Sequence, residues 1–152
     1  MTVIAVIRPD AWNFPLLLHV LGAMLMVGSL TLAVSALALA WRDGSASLVR
    51  LGQRALLLGA LPAWVMMRAG AEWIASKEDL TDSNAAWIGI GQSSADLGLL
   101  LILVSTLLAG LALRRIRRSL VPGPMARAPA GLVSLLLVVY LVAIWAMTTR
   151  PT

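Results

Sequence analysis

The sequence predicts an all-α membrane protein, a four-transmembrane-helix antiparallel bundle with both termini outside the cytoplasm. Three observations carry that expectation. Of 152 residues, 60% are apolar and 12% are charged, a balance far from that of an average soluble domain. The apolar residues gather in four blocks, 14–41, 55–76, 97–113 and 130–149, each near the roughly 20 residues that a helix needs to cross about 30 Å of hydrocarbon. Eight of the eleven arginines fall in alternate connections: Arg42, Arg50 and Arg54 between the first two blocks, and Arg114, Arg115, Arg117, Arg118 and Arg127 between the last two. The segment between the middle blocks carries Lys77 against Glu78, Asp79, Asp82 and Asp96. Arginine-rich connections face the cytoplasm of a plasma membrane, so the acidic segment and the termini are expected outside.

The elements follow in order within one domain, 1–152. Trp12 is an outer-interface aromatic, and the first helix, expected over 14–41, opens with Pro15 in a turn where proline forfeits no hydrogen bond. It ends at Trp41 before Arg42-Asp43-Gly44-Ser45, a short turn that makes the first two helices an antiparallel hairpin. Ala36, Ala38 and Ala40 give this block an A-x-A-like end. Its length and its trailing basic flank nevertheless speak for a spanning helix rather than a cleaved signal. The second helix, expected over 48–76, starts amphipathically with Arg50, Gln53 and Arg54 and carries Pro62 in its middle, where a kink is expected. An external loop over 77–95 follows, in which Trp87 sits in a short interfacial helix or re-entrant turn that could lid the outer end. The third helix, expected over 96–118, ends in arginines that suit the negative helix terminus. Val121-Pro122-Gly123-Pro124 interrupts the chain before a fourth helix over 130–149.

In lipid, helices associate through small and polar residues, so stripes of these mark the packed faces. The first helix offers Pro15, His19, Gly22, Met26, Ser29, Ala33, Ala36 and Ala40. The second offers Ala55, Gly59, Pro62, Met66, Ala69 and Trp73, and the third Asp96, Leu99, Leu103, Thr106 and Gly110.

Ionisable groups inside a span are costly and default to a functional reading with a named partner. His19, Arg68, Glu72 and Asp96 all fall near the outer level, counted at about 1.5 Å per residue. Arg68 and Glu72, four apart, can pair on one helix face. Two readings stand side by side. In the structural one, Arg68 and Glu72 are a neutralised pair reaching the interface, and His19 bonds a carbonyl of the second helix or Glu72. In the functional one, they form an outward pocket under Trp87, with His19 as ligand or proton carrier, Glu72 orienting it and Arg68 clamping an anion. Haem b would then need His19 with a methionine, since there is one histidine, and Met66, Met67 and Met147 are the candidates by depth. Copper on His19 and the same methionines suits soft ligands. Without cysteine, thiolate metal sites and disulfides are excluded.

Leu18-His19-Val20-Leu21-Gly22-Ala23 followed by Val27-Gly28 resembles the first-helix signature of small bacterial four-helix integral membrane proteins related to the copper-resistance protein D group. The resemblance implies a plasma-membrane bundle with an outward histidine and metal or haem handling. Met26 stands where those families often carry an aromatic.

The net charge of +5 sits in two connections rather than on a face interleaved with aromatics, so nucleic acid is not an expected partner and bound anionic lipid is. No nucleophile with a base, no HExxH pair and no phosphate loop occurs, which argues against an enzyme. The expectation is a non-catalytic accessory or assembly subunit, as a homo-oligomer or within a larger membrane complex. The alternatives are a haem-, copper- or quinone-binding protein using His19, and a small transporter or ion pathway.

Overall fold

A computed structural model describes residues 13–77, 86–118 and 127–148, and all of its regular structure is helical. In order the elements are α1 (Asn13–Asp43), α2 (Ala46–Arg54), a π-helical stretch (Ala55–Ala60), α3 (Leu61–Lys77), α4 (Ala86–Arg117) and α5 (Ala128–Thr148). Three helices, Asn13–Asp43, Gly91–Arg117 and Ala128–Ala146, are long and apolar enough to cross a membrane. Helix is the form such segments must take, because hydrocarbon offers no partner for an unpaired N–H or carbonyl.

The turn after α1 is made by Gly44 at φ +64°, whose N–H bonds the Ala40 carbonyl at 2.8 Å. A side chain there would be strained, and glycine is the usual residue after a helix C-terminus. Ser45 then caps α2, its hydroxyl accepting from the Leu48 N–H at 3.5 Å.

The core lies along one side of every helix. On α1 the expected stripe is the packed one: Pro15, Gly22, Met26, Ala33, Ala36 and Ala40 are buried and His19 and Ser29 half-buried, joined by Leu30 and Leu37. Gly22 and Gly70 let α1 and α3 touch backbone to backbone. A Cβ on Gly22 would stand 2.5 Å from the Met67 nitrogen, and one on Gly70 2.6 Å from the His19 nitrogen.

Two expected stripes are displaced by one residue. In the second, Ala55 faces inward, but the series continues through Ala60, Ala63, Met67 and Gly70 rather than Gly59, Pro62, Met66, Ala69 and Trp73. Pro62, Ala69 and Trp73 are exposed, and Gly59 and Met66 are half-buried. The inward face is the one that Val49, Gly52 and Leu56 share with Ala60, Ala63, Met67 and Gly70, so the displacement comes from counting from Ala55, at the edge of that face, instead of from Leu56. The wide turn at Ala55–Ala60 ends two residues before Pro62, which has no N–H for the Leu58 carbonyl, so the irregularity expected at the proline takes this form.

On α4 the buried series is Ala95, Gly98, Ile102, Ser105, Ala109 and Ala112. Of the expected residues, Thr106 is buried, Leu99 and Gly110 are half-buried, and Asp96 and Leu103 are exposed. Small residues, not the charge, select that face. The helix also begins at Ala86, so residues 86–95, expected as loop, are its opening turns. A separate interfacial element around Trp87 is thereby replaced by continuous helix.

Paired contacts set the directions. Trp64 and Arg68 meet α4 at Ala95 and Asp96, whereas Gln53 meets it at Gly110, so the 46–77 run and α4 are antiparallel. Arg127 at the foot of α5 stacks over Trp41 at the end of α1, 4.8 Å from the ring centre. One end of the bundle therefore collects the eight arginines of the two connections and the other His19, Arg68, Glu72 and Asp96.

Candidate functional site

Four helices bring polar side chains to one level at the end opposite the arginines. His19 on α1 lies six residues from its start, about 9 Å along the axis. Its Nδ1 donates to the Met67 carbonyl on α3 at 2.9 Å. A carbonyl only accepts, so this bond puts the proton on Nδ1 and the lone pair on Nε2. The Gly22 and Gly70 contacts on either side hold the two backbones close enough for it.

Arg68 reaches in two directions. It pairs with Glu72 one turn along α3 at 2.9 Å and with Asp96 on α4 at 3.5 Å. The arginine side chain is 27% exposed and the carboxylates 52% and 70%. Asp96 thus meets Arg68 from an outward-facing position by the length of the arginine, not by pointing into the core. Trp64 adds a neutral tie, its Nε1–H donating to the Ala95 carbonyl at 2.8 Å. Phe14 and Trp73 meet edge to face with centroids 6.0 Å apart, closing α1 on α3 at the same end.

On α5, Tyr140 packs its ring and hydroxyl against the Cα of Gly98, two residues past Asp96. That hydroxyl is buried without a hydrogen-bond partner, as are those of Ser105 and Thr106 deeper on α4.

The structure therefore brings Arg68, Glu72 and Asp96 together as the sequence suggested. It orients His19 by the Met67 carbonyl instead of by Glu72, the first of the two partners the structural reading offered. Met67 is buried and Met66 half-buried on the adjoining turn of α3. The side chains of Trp87 and Met147, the remaining expected participants, lie outside the described residues. Among the described residues no group of three or more His, Asp or Glu side chains could hold a metal ion.

Trp64 and Tyr140 are the participants that sequence reasoning missed. Both had a signal: Trp64 stands well inside an apolar block, unlike the belt residues Trp12, Trp41 and Trp145, and Tyr140 is the single tyrosine, in the middle of the last block.

The described residues form a helical protein with three helices long and apolar enough to cross a membrane and a polar network across its helices at one end. No family model matches the chain, and neither does any curated protein or solved structure.

Proposed function

We propose that the chain crosses the plasma membrane four times, with residues 46–77 as the fourth crossing and both termini outside, and that it serves as a non-catalytic accessory or assembly subunit, as a homo-oligomer or in a larger membrane complex. Support for the fourth crossing comes from the unbroken run of helix from Ala46 to Lys77, in which Arg68 is paired with Glu72. The arginine distribution supports the orientation, because all the cytoplasm-favouring residues of both connections gather at one end.

The observation that carries the role is how the polar side chains at the His19 level are used. His19, Arg68 and Trp64 each bind a neighbouring helix of the same chain. Such bonds act as struts that fix a rigid body able to pack against others in the bilayer. Native mass spectrometry from gentle detergent tests this: the expected species is larger than one chain and free of haem and copper. A ligand-free monomer under the mildest extraction overturns the reading.

One observation favours a second reading, haem b or copper binding at His19. An Nδ1–H bonded to a carbonyl is the usual support of a metal-ligating imidazole, and it leaves the Nε2 lone pair available. Met66 and Met67 would supply the thioether. A Soret band, or stoichiometric copper, that His19→Ala abolishes would establish it; neither, after supplementation of the culture, would remove it.

A further inference from the structure

The end of the bundle opposite His19 holds Arg42, Arg50, Arg54, Arg114, Arg115, Arg117, Arg118 and Arg127, with Asp43 as the single acid in those two connections. Arg127 stacks on Trp41. No ion pair forms at this end among the described residues, whose two ion pairs are both at Arg68 at the opposite end. Uncompensated guanidinium groups repel one another, so the arrangement is one that an anion would stabilise.

The arginines are not evenly spread around that end. α2 meets α4 where the Gln53 side chain lies against Gly110, 3.0 Å from where a Cβ would stand. At 3.6 residues per turn, Arg50 and Arg54 fall on one flank of Gln53, away from the buried Val49 and Gly52. On α4, Arg114, Leu107 and Leu111 fall on one flank of Gly110, away from the buried Ala109 and Leu113, and Arg118, just past the helix end with its N–H on the Arg114 carbonyl, continues that flank. Because the two helices are antiparallel, these flanks open to the same side and line a single groove. All six side chains are exposed.

Arg50 and Arg114 agree in height as well, with Arg54 about 6 Å further in and Arg118 about 6 Å further out. Arg50 stands three residues beyond Gln53 towards the arginine end, about 4.5 Å, and Arg114 four residues beyond Gly110, about 6 Å. The two are level. Leu107, 68% exposed, and Leu111, 45%, continue the same flank of α4 away from that end, where an acyl chain would lie.

We infer that this groove is a binding site for an anionic glycerophospholipid, specifically one whose headgroup carries two phosphates. Four arginines around one groove, with no carboxylate among them, exceed what a single phosphodiester neutralises, and a guanidinium meets a phosphate with two parallel hydrogen bonds. The leucine flank supplies the apolar half of the same ligand. Basic grooves between spanning helices at a membrane surface recognise polyanionic headgroups on these terms. The inference rests on the bilayer reading of the chain but not on which side the arginine end faces.

The test is native mass spectrometry of the full chain in detergent, delipidated and then titrated with diphosphatidylglycerol, phosphatidylglycerol and phosphatidylcholine. The wild type is expected to retain one diphosphatidylglycerol in preference to the other two. Arg50→Gln combined with Arg114→Gln should weaken that binding about thirtyfold, the equivalent of about 2 kcal/mol at 1.4 kcal/mol per factor of ten. Arg42→Gln, at the same end but on α1, should change it less than twofold, and far-UV circular dichroism should find all variants equally helical. Indifference of the wild type to headgroup overturns the inference, whatever the variants do. So does an equal loss in Arg42→Gln, or displacement of the lipid by an equal concentration of inorganic phosphate. A chain that stayed dispersed without detergent would instead overturn the bilayer reading, a failure distinct from headgroup indifference in a detergent-dependent protein.

Discussion

Substituting Gly70 by alanine probes the contact that holds His19 in place. The added Cβ would stand 2.6 Å from the His19 nitrogen and 2.7 Å from the Pro15 carbonyl oxygen, against the 3.4 Å at which ordinary contact begins. Both neighbours are backbone, so no side chain can swing away, and α1 and α3 must separate by about 0.8 Å, the shortfall between those distances. At the same level the His19–Met67 hydrogen bond would lengthen from 2.9 Å to about 3.7 Å, beyond bonding range. Overpacking of this kind costs about 1–3 kcal/mol, and an interhelical hydrogen bond in a membrane protein is worth about 0.6 kcal/mol. The gain of alanine over glycine in a helix, about 1 kcal/mol, offsets part of this. The net expectation is a loss of about 0.5–2.5 kcal/mol. Gly28→Ala is the control, since nothing lies within 4 Å of its added Cβ, and it should be neutral or stabilising by up to about 1 kcal/mol. The assay is equilibrium unfolding in mixed detergent micelles followed by far-UV circular dichroism. His19→Ala and Gly70→Ala together should cost less than the sum of the two, because each removes the same bond. Equal stability of Gly70→Ala and Gly28→Ala would refute the reasoning.

Tyr140→Phe should leave stability unchanged or raise it by about 1 kcal/mol, because the hydroxyl it removes is buried without a partner. Gly98→Ala should be destabilising in the wild type and markedly less so beside Tyr140→Phe, which deletes the oxygen its Cβ would strike; the same unfolding assay reads both. Arg68→Ala should cost about 1 kcal/mol or less, and less still in high salt, since its carboxylate partners are half exposed or more. Trp64→Phe, which keeps the ring and removes the donor to the Ala95 carbonyl, should cost about 1 kcal/mol with no salt dependence.

The residues that were legible in the sequence and those that were not differ for physical reasons. The packed face of α1 could be read residue by residue because that helix is regular from Asn13 to Asp43 and its small residues recur without interruption. In the following run the same counting was one residue out, because it started from Ala55 at the edge of the buried face, whereas Leu56 stands at its centre and leads to Ala60, Ala63, Met67 and Gly70. Pro62 announced an irregularity without saying that the turn before it would absorb the strain. On α4 the error came from letting Asp96 define the inward face. A carboxylate near the end of a span keeps its water and is met by a long arginine, whereas Gly98, Ser105 and Ala109 face in because they let neighbouring helices approach. The grouping of Arg68, Glu72 and Asp96 was legible because depth along a helix follows from residue count alone. The partner of His19 was not, because a backbone carbonyl has no sequence signature and the choice between Met67 and Glu72 depends on the close approach of two helices at Gly22 and Gly70.

The orientation proposed above puts the arginine end of the bundle in the cytoplasm and the His19 end outside. With no native cysteine, single substitutions report position without background, so the most direct measurement is labelling of Ser83→Cys and Ser119→Cys by a membrane-impermeant maleimide in intact cells. Ser83→Cys is expected to label at once and Ser119→Cys only after the membrane is permeabilised. The reverse pattern, or equal labelling of both in intact cells, would contradict the account.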